Sequence, residues 1–369
     1  MQDAPIPSPI PFPVTAIKGR GSATRHPHRY EALAREGWVE TVLEQDDPWY
    51  LPDLHAPTTH VTTEIARSVI TRNNSPDIGF EQSLNPYRGC EHGCSYCYAR
   101  PSHSYLNLSP GLDFETRLVA KINVAEQLRK ELARPGYSPS LIAIGTVTDA
   151  YQPIEREWRL TRQVLEVMLQ TRHPCALVTK GSGVLRDLDV LSELASQGLV
   201  AVIVTLTTLD AELSRRLEPR AAAPHRRIQM IHALADAGVP VGVSVAPQIP
   251  FLNVDMEACL QAAQQAGATR AFYSVLRLPW ELSPLFRQWL GQHYPDRADR
   301  VMACVQAMRG GQDYDARFGV RQRGQGVWAE LFQQRFDRAC RRLGLNSSRF
   351  DLRTDGFCPP SLHGQASLF

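Results

Sequence analysis

The sequence predicts an α/β protein built on six parallel strands, and three observations carry that prediction. Short apolar runs alternate with stretches in which apolar residues recur every three or four positions, the spacing of one helix face. From the second onward, successive predicted strands start about 25 to 39 residues apart, the length of a βαβ unit. Gly198, Gly238 and Gly267 follow three of the intervening helical stretches, where a residue free to turn left-handed closes a helix. Six such units form either an open doubly wound sheet or a partial (β/α) barrel. In both, ligands lie at the carboxyl ends of the strands.

The first 30 residues are rich in Pro, Gly, Ser and His without a sustained period, and predict an extended arm. Residues 29–43 read as a short helix. Residues 51–79 mix Pro, Asp and Thr around a strand-like 64–71 and predict an irregular cover. The first regular strand is 84–88. Leu118, Ile122, Ala125, Leu128 and Leu132 then fall on one helix face. Strands follow at 141–145, 175–178, 200–206, 239–245 and 269–275, separated by helices at 158–169, 184–195, 228–237 and 256–266. The run from Val200 to Leu206 is apolar except at Thr205, as a strand buried on both faces requires. After Pro279 the strands stop. Residues 282–343 read as two or three helices with a Gly- and Arg-rich break at 310–326, and residues 354–369 as a tail. The predicted division is therefore an arm and cover at 1–83, a core at 84–279 and a helical extension with tail at 280–369.

At 369 residues and 41.2 kDa the chain is long enough to bury a core without covalent staples. Its 40 basic and 38 acidic residues leave a net charge of +2, so no global field points to nucleic acid or membrane. No apolar run approaches the roughly 18 residues of a membrane span. The first residues lack the basic-then-apolar pattern of a leader, and the cytoplasm is the expected compartment. Arg outnumbers Lys 36 to 4, which fits bidentate binding of phosphate or carboxylate, although a G+C-rich coding sequence explains it more simply. Residues 287–353 hold thirteen Arg and no Lys against seven acidic residues. There Arg317, Arg321 and Arg323 cluster around Gly319 and Gly324, near Phe318 and Trp328. This is the one region with the composition of a nucleic-acid surface, and a solvated helical face is its simpler reading.

The cysteines carry the sharpest signal. Of eight, Cys90, Cys94 and Cys97 fall within eight residues, while Cys175, Cys259, Cys304, Cys340 and Cys358 stand apart. No second close set exists to complete a four-thiolate zinc site or an auxiliary cluster. Cys175, in a buried strand, and Cys259, on an apolar helix face, are expected to be inert small hydrophobes. Gly89 and Gly93 let the loop turn tightly around a ligand. Three thiolates hold three irons of a 4Fe-4S cluster and leave the fourth open for chemistry. The competing reading is a structural zinc that takes His92 or a distant Cys as fourth ligand.

With Tyr96 before its last Cys, the motif Cys90-Glu-His-Gly-Cys94-Ser-Tyr-Cys97 resembles the CxxxCxΦC signature of the radical S-adenosylmethionine (radical SAM) superfamily. The longer stretch from Asn85 to Arg100, with Ser104 to Glu115, resembles more narrowly one bacterial group in the spore photoproduct lyase-like, or DNA-repair-photolyase-like, branch. The resemblance spans residues 84–279 and implies a partial (β/α)6 TIM-like barrel with an N-terminal cover and a C-terminal helical extension. It also implies a 4Fe-4S cluster on Cys90, Cys94 and Cys97, S-adenosylmethionine (SAM) on the open iron, and an electron donor such as flavodoxin or ferredoxin. Reductive cleavage of SAM would then give a 5′-deoxyadenosyl radical that abstracts hydrogen, with modified or damaged nucleic acid as the substrate class of the branch.

Further candidates follow from strand ends. Thr146, Thr148 and Asp149, after the second strand, carry oxygens suited to the methionyl ammonium; a helix N-terminal turn capped by Asp explains them equally well. Thr205 and Thr207 could meet ribose hydroxyls or simply fill space. Lys180 and Arg277, at the ends of the third and sixth strands, point to the same mouth and could meet the SAM carboxylate or a substrate phosphate; a surface charge is the simpler reading of each. Glu218, in the charged Leu217-Glu-Pro-Arg220 loop where a structural ion pair is the competing reading, and Ser244 complete the SAM candidates together with Tyr96; Ser244, Gln248 and Asn253 end the fifth strand in a proline-stiffened loop near the ligand, which a simple strand terminator explains equally well. In spore photoproduct lyase a cysteine near the second strand returns hydrogen to the product radical. The matching stretch here, 141–151, has no Cys. Tyr98 and Tyr151 are the candidate hydrogen donors in its place, and efficient repair of spore photoproduct is not expected. A non-enzymatic, zinc-dependent nucleic-acid-binding protein is the alternative from another class.

Overall fold

Among the described residues, ten strands appear in chain order: β1 (His60–Glu64), β2 (Ile70–Arg72), β3 (Gln82–Leu84), β4 (Tyr87–Arg88), β5 (Arg117–Lys121), β6 (Ile142–Ile144), β7 (Cys175–Thr179), β8 (Val200–Thr205), β9 (Val241–Ser244) and β10 (Arg270–Phe272). The computed structural model describes residues 16–31 and 57–360. β3, β6, β7, β8, β9 and β10 form one parallel sheet in chain order, with β2 antiparallel on the outer edge of β3. Helices Leu160–Thr171, Leu188–Ser196, Pro224–Asp236 and Met256–Gln265 fill the crossovers. This is the expected α/β architecture, a partial (β/α)6 barrel.

Register decides where a ligand can sit. Leu84, Ile144 and Leu177 lie abreast, as do Thr205, Ser244 and Phe272, so the carboxyl ends of all six strands open on one face. β8 is buried along both faces except at Ile203, as its apolar run demands. Gly198, Gly238 and Gly267 have φ of +69°, +75° and +106° and close their helices as predicted.

Four expectations are corrected. The predicted first strand at 84–88 divides at Asn85 and Pro86. Pro86 has no N–H to continue a ladder, so β3 joins the large sheet and β4 a second, three-stranded sheet in the order β1-β5-β4. The predicted helix from Leu118 begins instead at Val124 (Val124–Leu132), because Leu118 and Ala120 are buried in β5, which runs parallel to β1. The strand-like 64–71 resolves into the separate β1 and β2. Residues 354–360 are not a loose tail: Cys358 N–H donates to Thr171 O at 2.9 Å, and Phe357 lies edge-on to His173 at 5.4 Å. The helix expected at 29–43 falls outside the described residues beyond Glu31, as does 361–369. A short helix, Ala211–Leu217, was not anticipated; Asp210 caps it by accepting from the Glu212 and Leu213 N–H groups.

The C-terminal extension comprises Leu282–His293, Pro295–Ala307, the short Val320–Arg323 and Gly326–Leu343. Its first two helices share a core with the cysteine loop, in which Cys94 and Tyr96 pack among Leu276, Phe286, Trp289 and Val305. The extension is thus part of the wall behind the motif.

Candidate functional site

The cysteine loop leaves β4 and is a chain of tight turns. Gly93 N–H donates to Cys90 O at 3.3 Å, Cys97 N–H to Cys94 O at 3.3 Å and Arg100 N–H to Cys97 O at 3.1 Å. Gly93 has φ of +67°, and a Cβ there would lie 2.6 Å from Glu115 Oε2, so glycine is required on both counts. The loop is fixed from outside by groups buried almost completely. Arg100 donates from Nε to Cys94 O at 2.9 Å, from Nη1 to Gly111 O at 2.9 Å, and from Nη2 to Gly93 O at 3.1 Å and Glu115 Oε1 at 2.5 Å. Gln152 accepts from Glu91 N–H at 2.8 Å and donates to Gly89 O at 3.2 Å. The N-terminal arm closes this shell, with Gly21 N–H donating to Glu115 Oε2 at 3.0 Å. A Cβ on Gly21 would overlap Gly93 O.

Inside the loop, at the strand ends, lies a cavity of about 550 Å³, within the usual range of small-molecule sites. Cys90, Cys94, Cys97, Tyr96, Tyr98, Thr146, Thr148, Asp149, Thr205 and Ser244 all line it, as do Lys180 and Arg277. Residues scattered over the chain in sequence are therefore one site in space. Five candidates stand outside. Glu218 is buried one layer back, bonded to Tyr96 and Thr207 and paired with Arg227 at 2.5 Å. Tyr151 is buried too, and its O–H donates to Asp187 Oδ2 at 3.0 Å rather than facing the cavity. Thr207, Gln248 and Asn253 likewise support the wall from behind.

Asp149 is a junction. It accepts from Tyr151 N–H at 2.8 Å, Thr179 Oγ1–H at 2.7 Å and Lys180 N–H at 2.7 Å, and His92 Nδ1 lies 3.3 Å away, off line for a hydrogen bond. Three of its four acceptor positions are thus spent tying the end of β6 to that of β7. Burial alone would raise its carboxyl; the neighbouring His92, Thr179 and Lys180 instead hold it below the usual carboxylate range. Glu218 follows the same logic: burial opposes its charge, and Arg227 and Lys180 bring it down to about 2. Burial also opposes the charge on Lys180, but Cys94, Glu218 and Asp149 together push its pKa above the ordinary value. Burial pushes the Cys94 thiol up to about 12 and Cys90 well above its normal range. Metal ligation, which takes the thiolate, must therefore displace those protons.

The sequence did not reveal Asn85, which accepts from Val147 N–H at 2.9 Å and pins the Thr146–Asp149 segment to the end of β3. It also missed the loop after β2, where Ser75, Ile78 and Phe80 form part of the cavity wall, and Gln322 opposite. Asn85 opens the stretch singled out for its resemblance, whereas Ser75, Ile78, Phe80 and Gln322 carry no motif signal. Arg100 and Glu115 did lie in the stretch singled out for its resemblance, but their pairing is visible only in three dimensions.

Three comparisons bear on this geometry. A family model described as the radical SAM superfamily matches residues 84–263. An uncharacterized protein of Mycobacterium tuberculosis is 38% identical over 230 residues, covering 62% of this chain and 68% of its own length. The chain belongs to the radical SAM superfamily. Another relative, an uncharacterized protein of Methanocaldococcus jannaschii, is 28% identical over 221 residues, 59% of this chain and 78% of its own. A variant of spore photoproduct lyase with AdoMet and dinucleoside spore photoproduct bound superposes with a TM-score of 0.52 at 15% identity, over 77% of this chain and 78% of that one. At that identity the likeness is one of fold.

Radical SAM enzymes use a 4Fe-4S cluster with SAM and need an electron donor. The residues present fit that pair of groups. Among the described residues, no three His, Cys, Asp or Glu converge closely enough to hold a single ion. The three thiols on one cavity wall can each give a thiolate to one iron of a cube and leave the fourth iron open for SAM. The Tyr96 ring and the Lys180 ammonium, 5.8 Å apart, stand beside them. No helix among the described residues is long and apolar enough to cross a membrane.

Proposed function

We propose that this radical SAM enzyme reductively cleaves SAM at a cluster held by Cys90, Cys94 and Cys97 and directs the resulting 5′-deoxyadenosyl radical at a hydrogen of a modified or damaged nucleic acid. The observation that carries the reading is that all three thiols line one cavity with Tyr96, Lys180 and a row of strand-end hydroxyls. Thr146 and Thr148 provide oxygens for the methionyl ammonium, Lys180 a cation for the carboxylate, and Thr205 and Ser244 hydroxyls for the ribose. Asp149 and Glu218 orient these groups, because their own oxygens are engaged. Tyr98, whose O–H is bonded to Thr146 O at the rim of the cavity, is the better-placed hydrogen donor of the two tyrosines. A flavodoxin or ferredoxin supplies the electron. The cytoplasm suits an enzyme whose eight cysteines are all unpaired.

The test is anaerobic reconstitution. Protein carrying about four iron and four sulfide per chain, which forms 5′-deoxyadenosine and methionine from SAM on reduction with dithionite, supports the reading. A colourless protein with one zinc and no SAM cleavage refutes it in favour of the metal-dependent nucleic-acid binder.

A further inference from the structure

We propose that Arg277 is a phosphate anchor for the backbone of a nucleic-acid substrate at the mouth of the cavity. The proposal rests on the radical SAM reading of that cavity and adds the contact that selects the substrate. Its first support is a division of labour between two cations. Lys180 lines the cavity beside the cysteine loop, its ammonium 5.8 Å from the Tyr96 ring. Arg277 lies on the other side, its guanidinium 4.6 Å over the ring of Tyr98, which is 44% exposed.

Arg277 has no carboxylate partner among the described residues, and its Nε–H, shielded from solvent, meets no acceptor. The acids nearby are already committed. Asp77 takes Arg321 at 2.5 Å and Gly319 N–H at 2.7 Å, and Asp315 takes Arg317 at 2.6 Å. Two of the three arginines singled out in the sequence are thus neutralised, Arg317 within its own loop and Arg321 by Asp77 of the loop after β2, whereas no ion pair engages Arg277 among the described residues. An unsatisfied buried donor is costly, and an anion at this position relieves it.

The backbone beneath is rigid: Leu276 O accepts from the buried Arg309 Nη2 at 2.8 Å, and Leu276 N–H donates to Gln248 O at 3.1 Å. A guanidinium stacked on a ring presents its N–H edge as a planar fork, the geometry that binds phosphate oxygens in pairs. Beside it Arg321, which also lines the cavity, stands 4.6 Å over the exposed ring of Phe318. Exposed rings among cations are the surface on which single-stranded nucleic acid stacks. A free nucleotide presents the same phosphate, so the test separates the two sources.

The probe is a fluorescein-labelled decathymidylate, followed by anisotropy from low to moderate KCl with the full-length holoprotein. R277Q is expected to weaken binding about tenfold and to lower the slope of log affinity against log salt by about 0.7, the loss of one single-strand phosphate contact. R277K recovers part of the affinity, R134Q, at an exposed site on another face, leaves it unchanged, and circular dichroism confirms that each variant is folded. Unaltered affinity and slope in R277Q overturn the proposal, as does absence of binding by the wild type. Equal affinity for an uncharged methylphosphonate decamer, or displacement by thymidine monophosphate at equal phosphate concentration, also overturns it. SAM cleavage by the wild-type holoprotein without any oligonucleotide tests the radical SAM reading separately.

Discussion

Arg100 is the side chain on which the cysteine loop most depends, and its replacement by Met is the sharpest test of how the site is held. The guanidinium is 1% exposed, and Glu115, its partner, is fully buried. Breaking a buried ion pair by removing one member costs about 3–5 kcal/mol, because the other charge is left without compensation. Arg100→Met also strands the carbonyls of Gly93, Cys94 and Gly111, at about 1 kcal/mol or more for each that water cannot reach. The sum approaches the whole stability of a typical domain, about 5–15 kcal/mol, and is limited by protonation of Glu115. Burial already pushes that carboxyl above its ordinary value despite Arg100. A raised carboxyl pKa contributes its stability below the unfolded value and loses it as pH rises, so the deficit of the variant should be smaller at pH 5 than at pH 8.

The assay is anaerobic urea denaturation of wild type, R100M, E115L and the double variant, with iron content measured on each. R100M should lose about 3 kcal/mol or more at pH 8 and retain little iron, while the double variant should lose at least 2 kcal/mol less than the sum of the singles, since no charge is then stranded. A loss under about 1 kcal/mol in R100M, or strict additivity, would refute the claim that the pair organises the loop.

Three other outcomes are expected. Single Ala variants of Cys90, Cys94 and Cys97 should each lose iron and SAM cleavage, and full activity in any one removes that residue from the ligand set. Burial lowers the His173 pKa from 6.5 to about 4, so the neutral ring stabilises the fold fully above pH 6.5 and progressively less as pH falls toward 4. His173→Leu should therefore flatten the stability profile by about 2 kcal/mol between pH 7 and pH 5, and an unchanged slope would count against a buried neutral ring. Finally, among the described residues no thiol beyond the three motif cysteines lines the cavity, so the holoprotein should cleave SAM without rapid turnover of an oligonucleotide carrying spore photoproduct. Repeated thymine release in an anaerobic chromatographic assay would contradict this.

The alternation of strand and helix was legible because burial writes itself locally. Val200 to Val204 is apolar on both faces, and Gly198, Gly238 and Gly267 mark helix ends by their own backbone freedom. The errors arose where two periods fit the same residues. Leu118 and Ile122 suit a helix by spacing, yet β1, more than fifty positions earlier, offers Leu118 and its neighbours a ladder that no local pattern announces. Pro86 gave a usable warning, since a strand that needs its N–H cannot run through it.

The site divides along the same line. The thiols, Tyr96, Lys180 and the strand-end hydroxyls were found because each stands next to a local signal, a cysteine spacing or the end of an apolar run. What holds them was hidden: Arg100 with Glu115, Gln152 with the backbone of Gly89 and Glu91, and Arg227 behind Glu218 are pairings across the chain, and even where one member lay in a stretch the sequence singled out, its partner is visible only in three dimensions. Charge counting could not rank the cations, for a related reason. Arg317, Arg321 and Arg323 form the visible cluster in sequence, but Asp315 and Asp77 consume the first two. A solitary Arg277 at a strand end keeps its charge because every neighbouring carboxylate is taken. Composition reports how many cations a segment holds; only the pairing in space reports which of them is available to a ligand, and that availability is what recognition of an anionic substrate requires.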